Sequence, residues 1–208
     1  MVSAGMRPQE AVREIEARLT AAGCPDADFD ARELFRLVTG ADLRLADQPL
    51  TAAQADRLET LTVRRADREP LQYLCGSWPF LDFELAVGPG VLCPRADTEV
   101  VAEAAAGLLA GVQKPKVLDL CAGTGCLGLG VKRFCPDAVV TSLEKSPEAF
   151  RYLEQNAKNA LHGPAATPVR GDLFTYWETL PEGQLDLIVS NPPYLTAAEM
   201  EQLQPEVA

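Results

Sequence analysis

The segment from Lys116 to Gly128 constrains the fold of this chain more than any other stretch. A β-prone run, KVLDL, leads into a glycine-rich turn, and a helix-like run from Leu127 to Phe134 follows. Glycines let the backbone approach a ligand closely, and the start of a helix offers unpaired N–H groups. The segment therefore predicts the strand–loop–helix unit with which parallel α/β sheets bind nucleotide-like cofactors.

Acidic residues flank this loop and make the prediction more specific. A match of 123–128 to G-x-G-x-x-G is weak evidence alone. Asp119 precedes the loop, however, and Glu144 closes the next predicted strand, 138–143. Glu144 follows Gly123 by 21 residues, the separation at which an acidic side chain binds ribose hydroxyls. The alternative for Glu144 is a solvated carboxylate at a strand end.

Four predicted strands alternate with helical segments in the second half of the chain. Ser146-Pro147 opens the helix after the second strand, because proline is favoured at the first helical position. Alternating strands and helices predict an α/β fold with a parallel, doubly wound sheet. The four strands are 116–120, 138–143, 167–170 and 185–189.

The first 70 residues predict small helices without a cofactor signature. Apolar residues recur at helical spacing from Val12 to Ala22, and a second apolar cluster ends at Gly40. Thr51-Ala52-Ala53-Gln54 predicts a capping box that opens a third helix. Taken alone, the sequence of segment 1–70 is interpreted as an appendage that stabilises the rest of the protein.

Residues 71–95 are aromatic and β-prone. Gly88-Pro89-Gly90 predicts a turn before Val91-Leu92-Cys93, so the segment predicts a β-hairpin that links two domains. A helix follows, with Asp97 or Thr98 as its N-cap. Its apolar stripe, predicted to be core, comprises Val100, Val101, Ala104, Ala105, Leu108 and Leu109.

The tetrapeptide Asn191-Pro192-Pro193-Tyr194 follows the fourth predicted strand. Proline fixes its own backbone and biases the preceding residue away from helix, so an amide and an aromatic ring are presented at a strand tip. Alone, such a turn more often merely ends a strand. The upstream glycine loop favours a functional role instead.

The composition excludes several classes of function. The formal net charge of −11 argues against phosphate-based binding of DNA or RNA, which needs clustered Lys and Arg. No apolar run is long enough to cross a membrane. The one histidine, His162, lies in a Gly/Pro/Ala-rich connection and is predicted to be a surface residue rather than a catalytic base.

The six cysteines show neither a C-x-x-C pair nor zinc spacing, so no metal site is expected. Buried free thiols in a reducing cytoplasm are the expected explanation.

Together, these motifs resemble a class I S-adenosylmethionine-dependent methyltransferase with a Rossmann-like fold, in which an (Asn/Asp)-Pro-Pro-(Tyr/Phe) motif marks the amino-methylating branch. REPLQYLCG at 68–76, WPF at 78–80 and PRADTE at 94–99 resemble the HemK/PrmC family more narrowly. That family is peptide chain release factor N5-glutamine methyltransferase, which acts in translation termination. The resemblance runs from the N-terminal helices to the last residue. It implies a docking domain at 1–70, a hairpin linker at 71–95 and a methyltransferase domain at 96–208.

The resemblance also implies a cofactor site for S-adenosylmethionine, with S-adenosyl-L-homocysteine as the product and no metal. Cys121-Ala122 stands where a glycine–threonine pair is frequent, and we expect these small side chains to preserve binding. Leu173 stands where the family often has an aromatic residue, so apolar contact replaces stacking. Thr98 and Arg95 are expected to close over the cofactor, although a surface salt bridge explains Arg95 equally well. The implied cofactor residues are Cys121, Ala122, Gly123, Thr124, Gly125, Glu144, Asp172, Leu173 and Asn191.

The tetrapeptide would hold the substrate glutamine. A carboxamide nitrogen is a poor nucleophile because its lone pair is delocalised. The Asn191 side-chain oxygen and the Pro192 carbonyl would accept its two hydrogens, and Tyr194 would pack on the amide plane, with Pro193 stiffening the turn. Positioning then drives an in-line displacement.

Three alternatives stay open. A DNA adenine or RNA guanine N-methyltransferase shares both motifs, and the acidic charge counts against it. A non-catalytic module that binds a release factor or the cofactor is the second. A nicotinamide-dependent oxidoreductase explains the loop but leaves the tetrapeptide without a role.

The resemblance implies seven strands, whereas the sequence predicts four. We therefore expect this chain to lack part of the domain, to expose a sheet edge and to be less stable or less active than a longer form.

Overall fold

The computed structural model describes residues 1–196 and Glu199. Within them, Met1–Cys75 belong to one compact unit and Gly76–Leu195 form a second. The domain boundaries expected from the sequence, 1–70, 71–95 and 96–208, stay a prediction.

The first unit is helical. It contains α1 (Pro8–Ala21), α2 (Ala27–Thr39), α3 (Ala52–Ala66) and a short α4 (Leu71–Cys75). Gly40 ends α2 in the left-handed conformation. The capping box of α3 is confirmed, because the Gln54 amide donates to Thr51 Oγ1 at 3.3 Å and the Thr51 amide donates to Gln54 Oε1 at 3.0 Å.

The core of this unit combines apolar packing with one buried ion pair. Arg65 Nε donates to Asp30 Oδ2 at 2.6 Å, and both side chains are buried. Removing either partner of such a pair destabilises the folded protein, because the remaining buried charge is then left uncompensated. The largest fully buried apolar side chains of the unit are Ile15, Leu19, Leu34, Phe35 and Leu58.

The second unit opens with a hairpin whose turn differs from the prediction. Strands β1 (Ser77–Phe80) and β2 (Phe83–Ala86) are antiparallel, so the turn lies at Leu81-Asp82 rather than at residues 88–90. Residues 91–93 are not a strand, and 71–75 are helical. The turn escaped prediction because Leu81 adopts a left-handed φ of 53°, which sequence patterns assign to glycine or asparagine.

The remainder of the unit is the predicted α/β fold. It contains the strands β3 (Lys116–Leu120), β4 (Val139–Glu144), β5 (Thr167–Arg170) and β6 (Leu187–Ser190). Their order in the sheet is β5-β4-β3-β6, and all neighbouring pairs are parallel. The Rossmann-like class is confirmed, with strand bounds that differ from the prediction by one or two residues in β4 and β6. The helical segments are α5 (Ala96–Leu108) before β3, α6 (Cys126–Phe134) after β3, α7 (Pro147–Asn159) after β4, and α8 (Leu173–Tyr176) with a 3-10 turn (Trp177–Thr179) after β5.

Helix α5 departs from the prediction in two ways. Arg95, not Asp97 or Thr98, is its N-cap residue, and no side chain caps it. The expected core stripe is also wrong in part, since four of its six residues are exposed: Val100, Val101, Ala104 and Leu108. Periodicity shows that one face is apolar but not whether a neighbour covers that face. The residues of α5 and its end that do enter the core are Ala102, Ala105 and Leu109.

Strand β6 forms an edge of the sheet. Within the described part of the chain it pairs with β3 alone, and Ile188 is 55% exposed. The expected exposed edge stays a prediction, since residues 197, 198 and 200–208 lie outside the described part of the chain. No helix among the described residues is long and apolar enough to cross a membrane.

Candidate active site

Four strand ends meet at one edge of the parallel sheet. The register pairs Leu120 of β3 with Leu143 of β4 and with Ser190 of β6, and it pairs Glu144 with Arg170 of β5. Ligands of open α/β sheets bind outside the carboxyl ends of the strands. The loops that leave these four strands carry the residues predicted from the sequence to bind the cofactor and substrate.

The loop after β3 is a tight turn with three left-handed residues. Cys121, Gly123 and Gly125 have φ values of 55°, 57° and 82°, and the Gly125 amide donates to the Ala122 carbonyl at 2.7 Å. Gly125 is also the N-cap of α6. A Cβ on Gly123 would have Val91 as its nearest neighbour, at 3.8 Å, so the loop leaves room for a ligand to approach its backbone.

Cys121 marks the departure of this loop from the usual glycine pattern. A side chain in the left-handed region costs roughly 1–2 kcal/mol, which a glycine would not incur. Burial and the neighbouring Glu144 carboxylate raise the pKa of the Cys121 thiol. The thiol is therefore neutral and adds a small, weakly polar group to the predicted cofactor site.

Glu144 faces the glycine loop. Its Oε2 accepts the Gly123 amide at 2.8 Å, and its Oε1 accepts the Ser146 amide at 2.7 Å. This arrangement is not that of a freely solvated strand-end carboxylate. Each oxygen keeps a second acceptor position, so the carboxylate can hold the loop and also receive ribose hydroxyls.

Asp119 lies beneath the loop and is buried. Its Oδ2 accepts the amide of Gly128 in α6 at 3.0 Å, which ties β3 to the helix. Burial raises the pKa of Asp119 to about 7, and the nearby Glu144 acts in the same direction. The carboxyl group consequently takes up a proton at a much higher pH than an exposed aspartate does.

Asp119→Asn should stabilise the protein increasingly as pH rises. The folded state favours the neutral form of the Asp119 carboxyl. The stability that this group contributes is therefore fully present below about pH 4 and is lost as pH rises through about 7. Each tenfold change in proton affinity between the folded and unfolded states changes the free energy of unfolding by about 1.4 kcal/mol. Asparagine has no carboxyl group to ionise, so the variant avoids this loss while its side-chain oxygen still accepts the Gly128 amide. Urea unfolding of parent and variant at pH 5 and pH 8 measures the difference. A difference that does not change with pH contradicts this reading.

Asp172 and Leu173 follow β5 at the same edge. Asp172 caps α8 by accepting the Phe174 amide at 3.0 Å, and it pairs with Lys145 at 2.9 Å. The hydrogen bond from Lys145 lowers the pKa of Asp172, so the group is a carboxylate. Leu173 is half-buried. Asp172 thus has a structural role whether or not it contacts adenine.

The tetrapeptide follows β6 and is exposed throughout. Ser190, directly before it, donates from Oγ to the Leu120 carbonyl at 2.8 Å. This contact fixes the start of Asn191-Pro192-Pro193-Tyr194 against the glycine loop. Tyr194 is 77% exposed, so its ring is available to a ligand.

The other predicted residues lie as follows. Thr98 is buried and Arg95 is exposed, and the Thr98 amide donates to the Arg95 carbonyl at 3.0 Å. His162 is exposed, as predicted. All six cysteines are free, but only Cys24 is buried, which corrects the expectation of buried thiols. Among residues 1–196 and Glu199, no cluster of three or more His, Cys, Asp or Glu could hold a metal ion.

Sequence reasoning missed two polar residues at this edge. Ser190 gave no signal beyond its place before the tetrapeptide. Asn156 of α7 is buried and hydrogen-bonds to the Thr124 carbonyl of the loop at 3.0 Å. A polar residue among the apolar positions of an amphipathic helix was the signal that could have identified it.

Two family models match the chain in consecutive regions. Residues 10–76 match the PrmC N-terminal domain, and residues 89–205 match the methyltransferase small domain. A solved S-adenosylmethionine-dependent methyltransferase from Agrobacterium tumefaciens superposes with a TM-score of 0.45 and 22% identity, over 57% of this chain and 40% of that chain.

Curated relatives match over most of this chain. The release factor glutamine methyltransferase of Deinococcus radiodurans is 38% identical over 207 residues, which are 97% of this chain and 72% of that protein. The protein of the same name from Geobacter sulfurreducens is 42% identical over 161 residues, 77% of this chain and 54% of that protein. The chain thus spans between about half and about seven tenths of these two relatives. With both domains matched and this level of identity, the chain belongs to the release factor glutamine methyltransferase family.

Proposed function

We propose that this chain transfers a methyl group from S-adenosylmethionine to the side-chain amide nitrogen of the glutamine in the Gly-Gly-Gln motif of peptide chain release factors. One observation carries the proposal: the loop with left-handed Cys121 and Gly123, the Glu144 carboxylate and the Ser190-Asn191 strand end converge at one edge of the sheet. The membership of the family supports the same conclusion.

The residues of the loop fit S-adenosylmethionine. The space above Gly123 admits the cofactor next to the backbone, and Glu144 retains acceptor positions for ribose hydroxyls. Cys121, Ala122, Thr124 and Gly125 would line the methionine side, and Asp172 and Leu173 would flank the adenine. When bound, the cofactor supplies a methyl group on a sulfonium centre, and its product is S-adenosyl-L-homocysteine.

The tetrapeptide would orient the acceptor nitrogen. The Asn191 side-chain oxygen and the Pro192 carbonyl would accept the two amide hydrogens, which favours a pyramidal nitrogen with its lone pair free. After methyl transfer the nitrogen would release one of these hydrogens as a proton to water. Pro193 stiffens the turn, and Tyr194 packs its exposed ring on the amide plane. Holding the nitrogen in this way replaces a bimolecular encounter with a positioned one, which is the main source of rate enhancement here.

The protein substrate is favoured over nucleic acid by charge. With a net charge of −11 the chain would be repelled by a phosphate backbone. The helical unit Met1–Cys75 is then a docking domain for the release factor. Free thiols at all six cysteines support a reducing compartment, so we assign the reaction to the cytoplasm.

A non-catalytic module that binds the cofactor or a release factor is the second candidate. Among the described residues β6 pairs with β3 alone, directly before the tetrapeptide, and this favours the module, because a strand paired on one side would hold Asn191 less firmly.

A labelling experiment separates these functions. The protein is incubated with methyl-labelled S-adenosylmethionine and either a purified release factor or a mixture of DNA and RNA. We expect label on the release factor. Label on nucleic acid overturns the choice of substrate, and cofactor binding without any transfer favours the non-catalytic module.

A further inference from the structure

Asn156 of α7 joins two segments that are far apart in the sequence. Its Oδ1 accepts the Ala86 amide at 2.7 Å, and its Nδ2 donates to the Ala86 carbonyl at 3.1 Å and to the Thr124 carbonyl at 3.0 Å. The side chain is 2% exposed. Asn156 therefore connects the end of β2 to the glycine loop through three hydrogen bonds inside the protein.

The chemistry of this network requires a carboxamide. The Ala86 amide can only donate, so it faces the oxygen of Asn156, and the two carbonyls can only accept, so both face the nitrogen. An aspartate of the same shape would put a carboxylate oxygen against two carbonyl oxygens. An apolar residue would leave buried backbone groups without partners, which is costly.

Thr124 needs such an anchor because of its neighbours. It lies between Gly123 and Gly125, which both adopt left-handed φ values. Glycines leave the intervening peptide groups more conformational freedom than other residues do. A hydrogen bond to the Thr124 carbonyl from a rigid helix removes that freedom before any ligand arrives.

Helix α7 also fits tightly against the same two segments. A Cβ on Gly125 would lie 2.7 Å from Leu153 Cδ1, and one on Gly88 would lie 2.2 Å from the Tyr152 hydroxyl. Ser146 caps this helix by accepting the Ala149 amide at 3.2 Å. The support behind the loop is thus a capped helix in close contact, with Asn156 as a polar link.

We infer that Asn156 is a positioning residue that fixes the Thr124 carbonyl and so holds the Gly123–Gly125 backbone ready for the cofactor. The inference rests on the proposed function in one respect, that this loop binds S-adenosylmethionine. Binding to a loop already in its bound shape avoids the entropy cost of ordering it. Loss of the anchor should therefore weaken cofactor affinity while altering the chemical step little.

Asn156→Asp tests the inference, with Asn159→Asp as the matched control. Asn159 lies on the same helix and is exposed. The Asn159→Asp variant therefore adds the same negative charge without breaking the hydrogen bonds of Asn156. Asn156→Ala is a second variant, since a water molecule can enter the space it leaves. Calorimetry with S-adenosyl-L-homocysteine and amide hydrogen exchange of the unliganded proteins are measured for each.

We expect both Asn156 variants to bind S-adenosyl-L-homocysteine at least tenfold more weakly than the control. Exchange should accelerate at the Gly123 and Gly125 amides while the β4 amides remain as in the control. In turnover assays, KM for S-adenosylmethionine should rise tenfold or more and kcat should fall less than threefold. A residue that only stabilises the fold would accelerate exchange throughout the sheet and would not separate KM from kcat in this way.

Two results distinguish the failure of this inference from failure of the proposed function. If the folded variants match the control in affinity and in loop exchange, Asn156 does not position the loop, although the loop still binds the cofactor. If the parent itself does not bind S-adenosyl-L-homocysteine, the proposed function fails. In that case, faster amide hydrogen exchange confined to the loop of the Asn156 variants would still show that Asn156 anchors the loop.

Discussion

Asn191→Ala should reduce methyl transfer by roughly 100-fold or more while cofactor affinity stays nearly unchanged. In the proposed site the Asn191 oxygen holds one hydrogen of the substrate amide, and alanine offers no acceptor there. The loop that would bind the cofactor keeps its contacts, because Ser190 still donates to the Leu120 carbonyl. Single-turnover assays with a release factor and calorimetry with S-adenosyl-L-homocysteine measure the two effects separately.

Asn191→Asp provides the control for this variant. Aspartate keeps an acceptor oxygen at the same place, so we expect it to retain clearly more transfer than alanine does. Full turnover in Asn191→Ala would show that the assigned role is wrong. A parallel loss of cofactor affinity would instead mean that Asn191 acts mainly in binding the cofactor.

Gly123→Val should weaken binding of S-adenosylmethionine by at least tenfold. The left-handed φ of 57° at Gly123 is a strained conformation for a β-branched residue, and the added side chain would fill the space in which the cofactor approaches the backbone. The backbone can relax to relieve the strain, which changes the shape of the loop, or it can stay in place, in which case the valine side chain occupies the cofactor's space. The site is disturbed in both cases. Calorimetry gives the change in affinity.

Gly111→Val is the matched control, because Gly111 also has a left-handed φ, of 86°, and open space around it, but lies in the connection after α5. Gly111→Val should be destabilised about as much as Gly123→Val, and it should keep the affinity of the parent protein for the cofactor. Equal affinities of the Gly123 and Gly111 variants would remove the loop from the cofactor site.

Local chemistry made part of the fold predictable from the sequence. The capping box at Thr51 and the Ser146-Pro147 helix start depend on residues within one turn of each other, and the structure contains both. The glycine loop and the acidic end of β4 were found for the same reason: their chemistry is carried by residue type and spacing.

Features that depend on tertiary contacts were not predictable in this way. The hairpin turn at Leu81 carries no turn signal, although its left-handed backbone is held by the strands around it, and the Leu81 amide donates to Glu99 Oε1 at 2.8 Å. The exposure of Val100 depends on which neighbours α5 has. Asn156 acquires its partners only when residues 32 and 70 positions away are brought together.

The position of the transferred methyl group tests the central claim most directly. A release factor is incubated with this protein and S-adenosylmethionine, digested, and its Gly-Gly-Gln peptide is sequenced by tandem mass spectrometry. We expect one added methyl group on the glutamine side chain, and roughly 100-fold less of this product when Asn191→Ala replaces the parent protein under the same conditions. A methyl group on any other residue, or an unmodified glutamine despite measured cofactor binding, would contradict it.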